Sequence, residues 1–197
     1  MPYKILVEVE GTNRGLLMRK FSAEATAEME AKVKKAVRVE KPPEEEAEIS
    51  AYRLEPSNGQ PKGQLMLPAE HFLGAIIGSG SSMKQKGKRG KTYKDAFKGC
   101  LDIGPDYIPL TNGDGTPLFD YVIDARPVRN PSTRGRIIRY RPHIPAGWRA
   151  KFTISVSDDA IPLEVVQAGV EESGRSKCVG DYRPRFGTYR VVSCEEK

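Results

Sequence analysis

Histidine, tryptophan and cysteine are scarce in this sequence: two, one and three residues in 197. Cys100, Cys178 and Cys194 are odd in number and lack CxxC spacing, which excludes a disulfide framework and a zinc ribbon and suits a reducing compartment. No apolar run approaches the roughly 18 residues of a membrane span. The opening MPYKILVEVEG also lacks the charged head and long apolar segment of an export signal, so a cytoplasmic protein with no membrane partner is expected. Walker, HExxH, GxSxG and paired-carboxylate patterns are missing, and no aspartate precedes Asp95. The sequence therefore implies no cofactor and no metal. Asp114 in TNGDGTPLF belongs to an Asn-Gly/Asp-Gly turn, with no further carboxylates at loop-ligand spacing.

What is abundant is basic charge, unevenly laid down. The net charge is +6 and the sequence pI is about 9.2. Arg126 to Lys151 holds eight Lys/Arg and no acid, Lys84 to Lys98 seven and one, and Arg175 to Arg190 five and one. Glu24 to Glu55, by contrast, contains nine glutamates, including the run Glu44, Glu45 and Glu46. A solvated face normally mixes signs; segregation of this kind creates a field and a surface suited to phosphate. In the acid-free window Arg outnumbers Lys by seven to one. Guanidinium is planar, forks onto phosphate and stacks on bases, so the bias suits nucleic acid better than a solubilising patch.

The hydrophobic pattern predicts one domain, residues 1–197, with an α+β core. Tyr3 to Gly11 alternates as a strand and is broken by Gly11-Thr12-Asn13-Arg14-Gly15. Ser22 can cap a helix through Val37, KPPEEEAE reads as a linker, and EISAYRLEPSNGQPKGQLMLP reads as two strands around a Pro/Gly turn. Arg19 to Gly63 together is expected to be an inserted arm without a core of its own. LMLPAEHFLGAIIGSG predicts a short strand and the most apolar helix, and a second helix is possible from Thr92. DYVIDARPV and WRAKFTISVSD alternate as strands, IPLEVVQAGVEESG gives a helix ending at Gly174, and TYRVVSC a last strand. The order strand, helix, strand, strand, helix, strand is that of a ferredoxin-like (RRM-like) βαββαβ core, with the arm after the first strand and a basic loop region.

Three of these pieces resemble one family in the same order. QLMLPAEHFLGAII looks like the strand, Pro, helix signature of the RAMP superfamily, the RNA-binding backbone subunits of CRISPR effector complexes and their relatives. CVGDYRPRFGTYRVV resembles their glycine-rich loop before the last strand, and ILVEVEGTNRGLLM their first strand and glycine break. The resemblance covers most of Tyr3 to Gly11 and Leu65 to Val192, and Arg19 to Gly63 would be their variable thumb. It implies a guide-like, single-stranded RNA partner coated by a head-to-tail homo-oligomer, with target RNA or DNA recognised by pairing to the guide. A minimal or phage-borne relative fits the simple architecture. The arm's glutamates would meet the basic face of the next copy. Some RAMP subunits cut RNA with an aspartate after the first strand; the lack of Asp before Asp95 keeps that activity from being carried over.

The expected RNA-binding residues fall in three groups. Lys84, Lys86, Lys88, Arg89 and Lys91 would form a mobile clamp. Arg126, Arg129, Arg134, Arg136, Arg139 and Arg141 would fan along a backbone, with Tyr140 free to stack and Ile137 and Ile138 anchoring the segment. In the glycine-rich loop, Gly180 and Gly187 would let backbone N–H groups approach phosphate, Arg183 and Arg185 would supply charge, and Tyr182 and Phe186 stacking faces. Phe186 could equally pack beneath the last strand. The three windows are expected to converge into one track. A non-catalytic role is expected. The alternatives are a metal-independent endoribonuclease using His71 or His143, and a viral DNA-binding or structural protein. His71, at the start of the apolar helix, also suits a structural or capping role.

Overall fold

The computed structural model describes residues 2–20, 41–56, 59–129, 135–158 and 161–197. Arg134 and the helix expected from Ser22 to Val37 lie outside the described residues. In chain order the elements are β1 (Tyr3–Gly11), β2 (Leu16–Leu17), α1 (Pro43–Ile49), β3 (Met66–Pro68), α2 (Ala69–Ser79), α3 (Lys94–Cys100), β4 (Leu101–Gly104) and β5 (Tyr107–Thr111). β6 (Val122–Arg129), β7 (Arg136–Ile144), β8 (Arg149–Val156), α4 (Leu163–Glu172), a π-helical turn (Ser173–Lys177) and β9 (Tyr189–Glu196) follow.

The main sheet runs β3-β5-β8-β1-β9, with β4 also paired to β8. Taking β4 and β5 as one interrupted strand, the core order in space is fourth, first, third, second, all antiparallel. With α2 and α4 as the two crossover helices, this is the ferredoxin-like core that the sequence predicts. β1 shows how the sequence produces it: Ile5, Val7 and Val9 are buried, while Lys4 is exposed and Glu8 and Glu10 stay half-buried on the other face. Ala150, Phe152, Ile154 and Val156 of β8 line the same inner face. Phe72, Ala75 and Ile76 of α2 pack onto it, with the Phe72 and Phe152 rings 4.8 Å apart, and Val166 and Val170 of α4 join the same core. Full burial of a Phe or Ile side chain contributes about 1.5–3 kcal/mol, so Phe72 and Ile76 hold α2 firmly on the sheet.

The second core strand is not DYVIDARPV. That segment is β6, which pairs with β7 in a separate three-stranded sheet, β2-β7-β6. The core position belongs to Leu101 to Thr111, whose alternation is interrupted by Gly104-Pro105 and Pro109 and so reads poorly as a strand. KPPEEEAE is also not a linker. Pro43 opens α1 and Glu44, Glu45 and Glu46 fill its first turn, both favourable at a helix N-terminus. The described part of the expected arm folds onto the body: Ala47 and Ala51 are buried, and α1 packs against β7 and β6. Arg53 pairs with Leu65 in an isolated bridge, which keeps the expected strand contact on either side of the Pro/Gly turn. Among the described residues no helix is long and apolar enough to cross a membrane.

Candidate nucleic-acid interface

Two of the three basic windows meet at the end of the core where β1 finishes. The β6–β7 hairpin belongs to the second window and the loop from Cys178 to Thr188 to the third. The loop is shaped by its own packing. Gly180 and Gly187 have φ of +77° and +76°. A Cβ on Gly187 would lie 1.7 Å from the Val179 carbonyl oxygen, and one on Gly180 would lie 2.5 Å from the Leu17 carbonyl oxygen. Their amides are also engaged: Gly187 N–H donates to Gly15 O (2.8 Å), and Gly180 N–H donates to His71 Nδ1 (3.3 Å). Gly180 and Gly187 therefore shape the loop, and the expectation that their N–H groups face phosphate is corrected.

The loop is clamped to the hairpin by a second layer of contacts. Residues directly opposite in an antiparallel ladder share a face. Asp124, Arg126, Arg139, Arg141 and His143 accordingly point to one side, while Arg129, Arg136, Ile138 and Tyr140 point to the other. On the first side Asp124 accepts from Arg126 Nε at 2.7 and 2.8 Å, and the Arg126 guanidinium lies 4.6 Å from the Phe186 ring centroid and 5.9 Å from that of Tyr182. His143 meets Phe186 edge-on at 5.7 Å. Arg141 is only 3% exposed, and its Nε is 3.1 Å from Asp181 Oδ2. That contact is an ion pair without hydrogen-bond alignment, and among the described residues Arg141 Nε, Arg141 Nη1 and Asp181 Oδ2 have no hydrogen-bond partner.

These contacts sort the expected residues. Phe186 is 2% exposed, so it packs within the protein and has no free face for a base. Arg141 is buried and holds the hairpin to the loop instead of reaching outward. Ile138 is 53% exposed and lies outside the buried core, because its strand position turns it to the outer face. Tyr140 shares that outer face, away from Tyr182. Tyr182 itself is 45% exposed with φ of +58°, an uncommon conformation for a bulky side chain, and its edge-on contact with Phe186 leaves part of the ring accessible. Arg183 and Arg185 are exposed beside it in the same loop, while Arg129 and Arg136 are exposed on the opposite face of the hairpin, with Tyr140. Across the hairpin Arg126 stands opposite Arg139 and Arg129 opposite Arg136. Like charges opposed on a sheet repel, and at the first pair Asp124 offsets the charge of Arg126.

The remaining cations behave differently. On the outer face of the main sheet, Arg149 pairs with Glu8 (3.3 Å) and Glu10 (2.9 Å), and Arg190 with Glu10 (2.8 Å). Hydrogen bonds from Arg190 and then Arg149 hold the Glu10 carboxyl below its usual range. That face is charge-balanced, so it is not the basic platform. The lysine window springs from the last turn of α2: Tyr93 N–H donates to Met83 O (2.9 Å) and Gln85 N–H to Lys91 O (3.0 Å), closing a hairpin. The expected glycine-broken clamp is thus a closed hairpin. His71 and Gly180 mark the opposite end of α2, and eleven helical residues rise about 16 Å. The windows do not fuse into one patch: the β6–β7 hairpin and the loop from Cys178 to Thr188 converge, the lysine hairpin is rooted at the other end of α2, and Arg149 and Arg190 lie on the outer face of the main sheet.

Both histidines are tied down. Burial pushes the His71 pKa below its usual value, Arg183 lowers it further, and its Nδ1 accepts from Gly180 N–H as the neutral ring must. His143 Nε2 lies 2.7 Å from the Arg14 carbonyl oxygen, which fixes Nε2 as the protonated nitrogen. The residues that the sequence reading missed are the acids Asp124 and Asp181. Their signal was present: Asp181 is the single acid of the third window, and Asp124 stands two positions before Arg126 on one strand face.

No family profile and no curated protein matches the sequence. A chain of the cryo-EM structure of the type III-B Cmr-beta bound to cognate target RNA superposes with a TM-score of 0.55 at 10% identity. The match covers 99% of this chain and 60% of that one, so this protein spans less than two thirds of its neighbour. The likeness is one of fold. A crystal structure of a CRISPR protein from Archaeoglobus fulgidus also aligns, over 100% of this chain and 64% of that one, at 14% identity and a TM-score of 0.38, too low to bear on the fold.

Proposed function

We propose that this chain is a non-catalytic, RNA-binding component of a CRISPR-like ribonucleoprotein, a member of the RAMP superfamily that coats a guide-like single-stranded RNA as a head-to-tail homo-oligomer in the cytoplasm. Target RNA or DNA would then be recognised by pairing to the guide. The observation that carries the reading is the composite face on which Tyr182, Arg183 and Arg185 stand beside the arginine hairpin. Arginine supplies sequence-independent affinity through phosphate, and an accessible tyrosine adds stacking worth about 1–3 kcal/mol per base. The fold shared with a chain from a CRISPR complex bound to RNA supports RNA over DNA. The internal hydrogen bonds of His71 and His143 favour structural roles over acid–base chemistry.

The test is competition at fixed salt between single-stranded RNA and duplex DNA, together with sequencing of the nucleic acid that copurifies from the source cell. Preferential retention of single-stranded RNA without cleavage supports the reading. Preference for duplex DNA would move the protein to the DNA-binding class. Cleavage lost in His71→Ala or His143→Ala would make it a nuclease.

A further inference from the structure

Lys84, Lys86, Lys88, Arg89 and Lys91 are all exposed, and none makes an ion pair or side-chain hydrogen bond with another described residue. They sit on a hairpin closed by backbone hydrogen bonds, so the charges are presented together on a defined loop. Lys177, from the π-helical turn, packs along the same end of α2: its side-chain carbons would lie 3.5 to 3.8 Å from a Cβ on Gly78, in the last turn of that helix. This end of the molecule differs in chemistry from the arginine face. Its cations are mainly lysines, compact charges without a stacking plane. The neighbouring aromatic, Tyr93, is stacked on Phe97 at 5.8 Å and half-buried, so no tyrosine stands free here as Tyr182 does.

A surface that offers charge without stacking planes suits a nucleic acid whose bases are already paired and turned inward. Resting on the RNA-binding reading above, we infer that the lysine hairpin is a second, independent contact that docks on the phosphate backbone of a base-paired segment, while the arginine and Tyr182 face holds unpaired nucleotides. One copy of the chain thereby engages a single strand at one end of α2 and a duplex at the other. The duplex can be a hairpin within the same RNA or a second strand annealed to it; the phosphate chemistry is the same.

The triple variant Lys86→Gln/Lys88→Gln/Arg89→Gln tests this. All three positions are exposed tips, so the fold is expected to stand, checked by an unchanged thermal unfolding midpoint. Three probes are used at several salt concentrations: a short single-stranded RNA, the same RNA with an intramolecular hairpin, and the same RNA annealed to a complement over half its length. The expected result is single-strand affinity within about twofold of wild type, an affinity loss of about tenfold or more on duplex-bearing probes, and a salt slope there reduced by about two to three. The two duplex probes separate the sources: loss on only one identifies which duplex is used. Equal losses on paired and unpaired RNA would overturn the inference in favour of one continuous track, and no loss on any probe would leave the hairpin a merely solvated loop. Wild-type protein that binds duplex through the lysine hairpin but ignores single-stranded RNA would refute the RNA-coating reading and the division of labour between the two ends while preserving the duplex contact itself; binding neither refutes both.

Discussion

Replacing Asp181 with Asn should loosen the joint between the arginine hairpin and the glycine-rich loop, and the structure sets the scale. Arg141 is 3% exposed and its Nε faces Asp181 Oδ2 at 3.1 Å, so D181N leaves a buried guanidinium without its counter-charge. Removing one partner of a buried pair costs about 3–5 kcal/mol. Asp181 keeps 26% side-chain exposure and the pair lacks hydrogen-bond alignment, which places the expected loss near the lower bound, about 3 kcal/mol. The double variant Arg141→Leu/Asp181→Leu removes both charges and should recover most of that loss, because a buried ion pair replaced by apolar groups is often neutral in stability. Urea denaturation of wild type, Arg141→Leu, Asp181→Leu and the double variant gives the coupling energy directly. A D181N loss below about 1 kcal/mol, or a double variant as unstable as the singles, would show that the two segments are held together by something other than this pair.

Four further outcomes follow from the same geometry. Arg185→Ala, at an exposed position of the loop that carries Tyr182, should weaken single-stranded RNA binding across sequences and reduce the salt slope by about 0.7, as one lost phosphate contact does; an unchanged slope would place that side chain away from the RNA. Gly187→Ala should cost at least about 2 kcal/mol, because a left-handed backbone and a Cβ 1.7 Å from Val179 O must both be accommodated, and chemical denaturation measures it. The depressed His71 pKa means that the unfolded chain takes up this proton first on acidification. Its contribution to stability is thus full above the unfolded value of 6.5 and is lost as pH falls below it, and His71→Gln should flatten the unfolding midpoint in that window. Reversing Glu44, Glu45 and Glu46 to Lys should reduce RNA-dependent assembly by light scattering, since Glu44 and Glu45 project from the exposed side of α1; unchanged particle size would remove α1 from the contact between copies.

The sequence announced the core through its periodicity. β1, α2, β8, α4 and β9 each carry an unambiguous alternation or stripe, and all five are present within a residue or two of their expected bounds. The second core strand was hidden because Leu101 to Thr111 is short, broken by Gly104-Pro105 and followed by the cleaner alternation of Val122 to Val128, which belongs to a different sheet. At the candidate interface, residue types were legible and directions were not. Basic composition singles out the arginine window, but only strand register shows that Arg141 turns inward while Arg136 and Tyr140 take the face opposite Arg139. The glycines of the loop stand out in the sequence, yet composition alone cannot distinguish a glycine that admits phosphate from one that admits the Val179 carbonyl. Phe186 had two open readings, and burial decides for packing.

The most direct measurement of the central claim is ultraviolet crosslinking of bound single-stranded RNA, with the attached peptides mapped by mass spectrometry. The face built from the hairpin and the glycine-rich loop predicts crosslinks concentrated at Tyr182 and its neighbours Arg183 and Arg185, and on the β6–β7 hairpin. Crosslinks confined to the outer face of β1, β8 and β9, where Glu8 and Glu10 already neutralise Arg149 and Arg190, would contradict it.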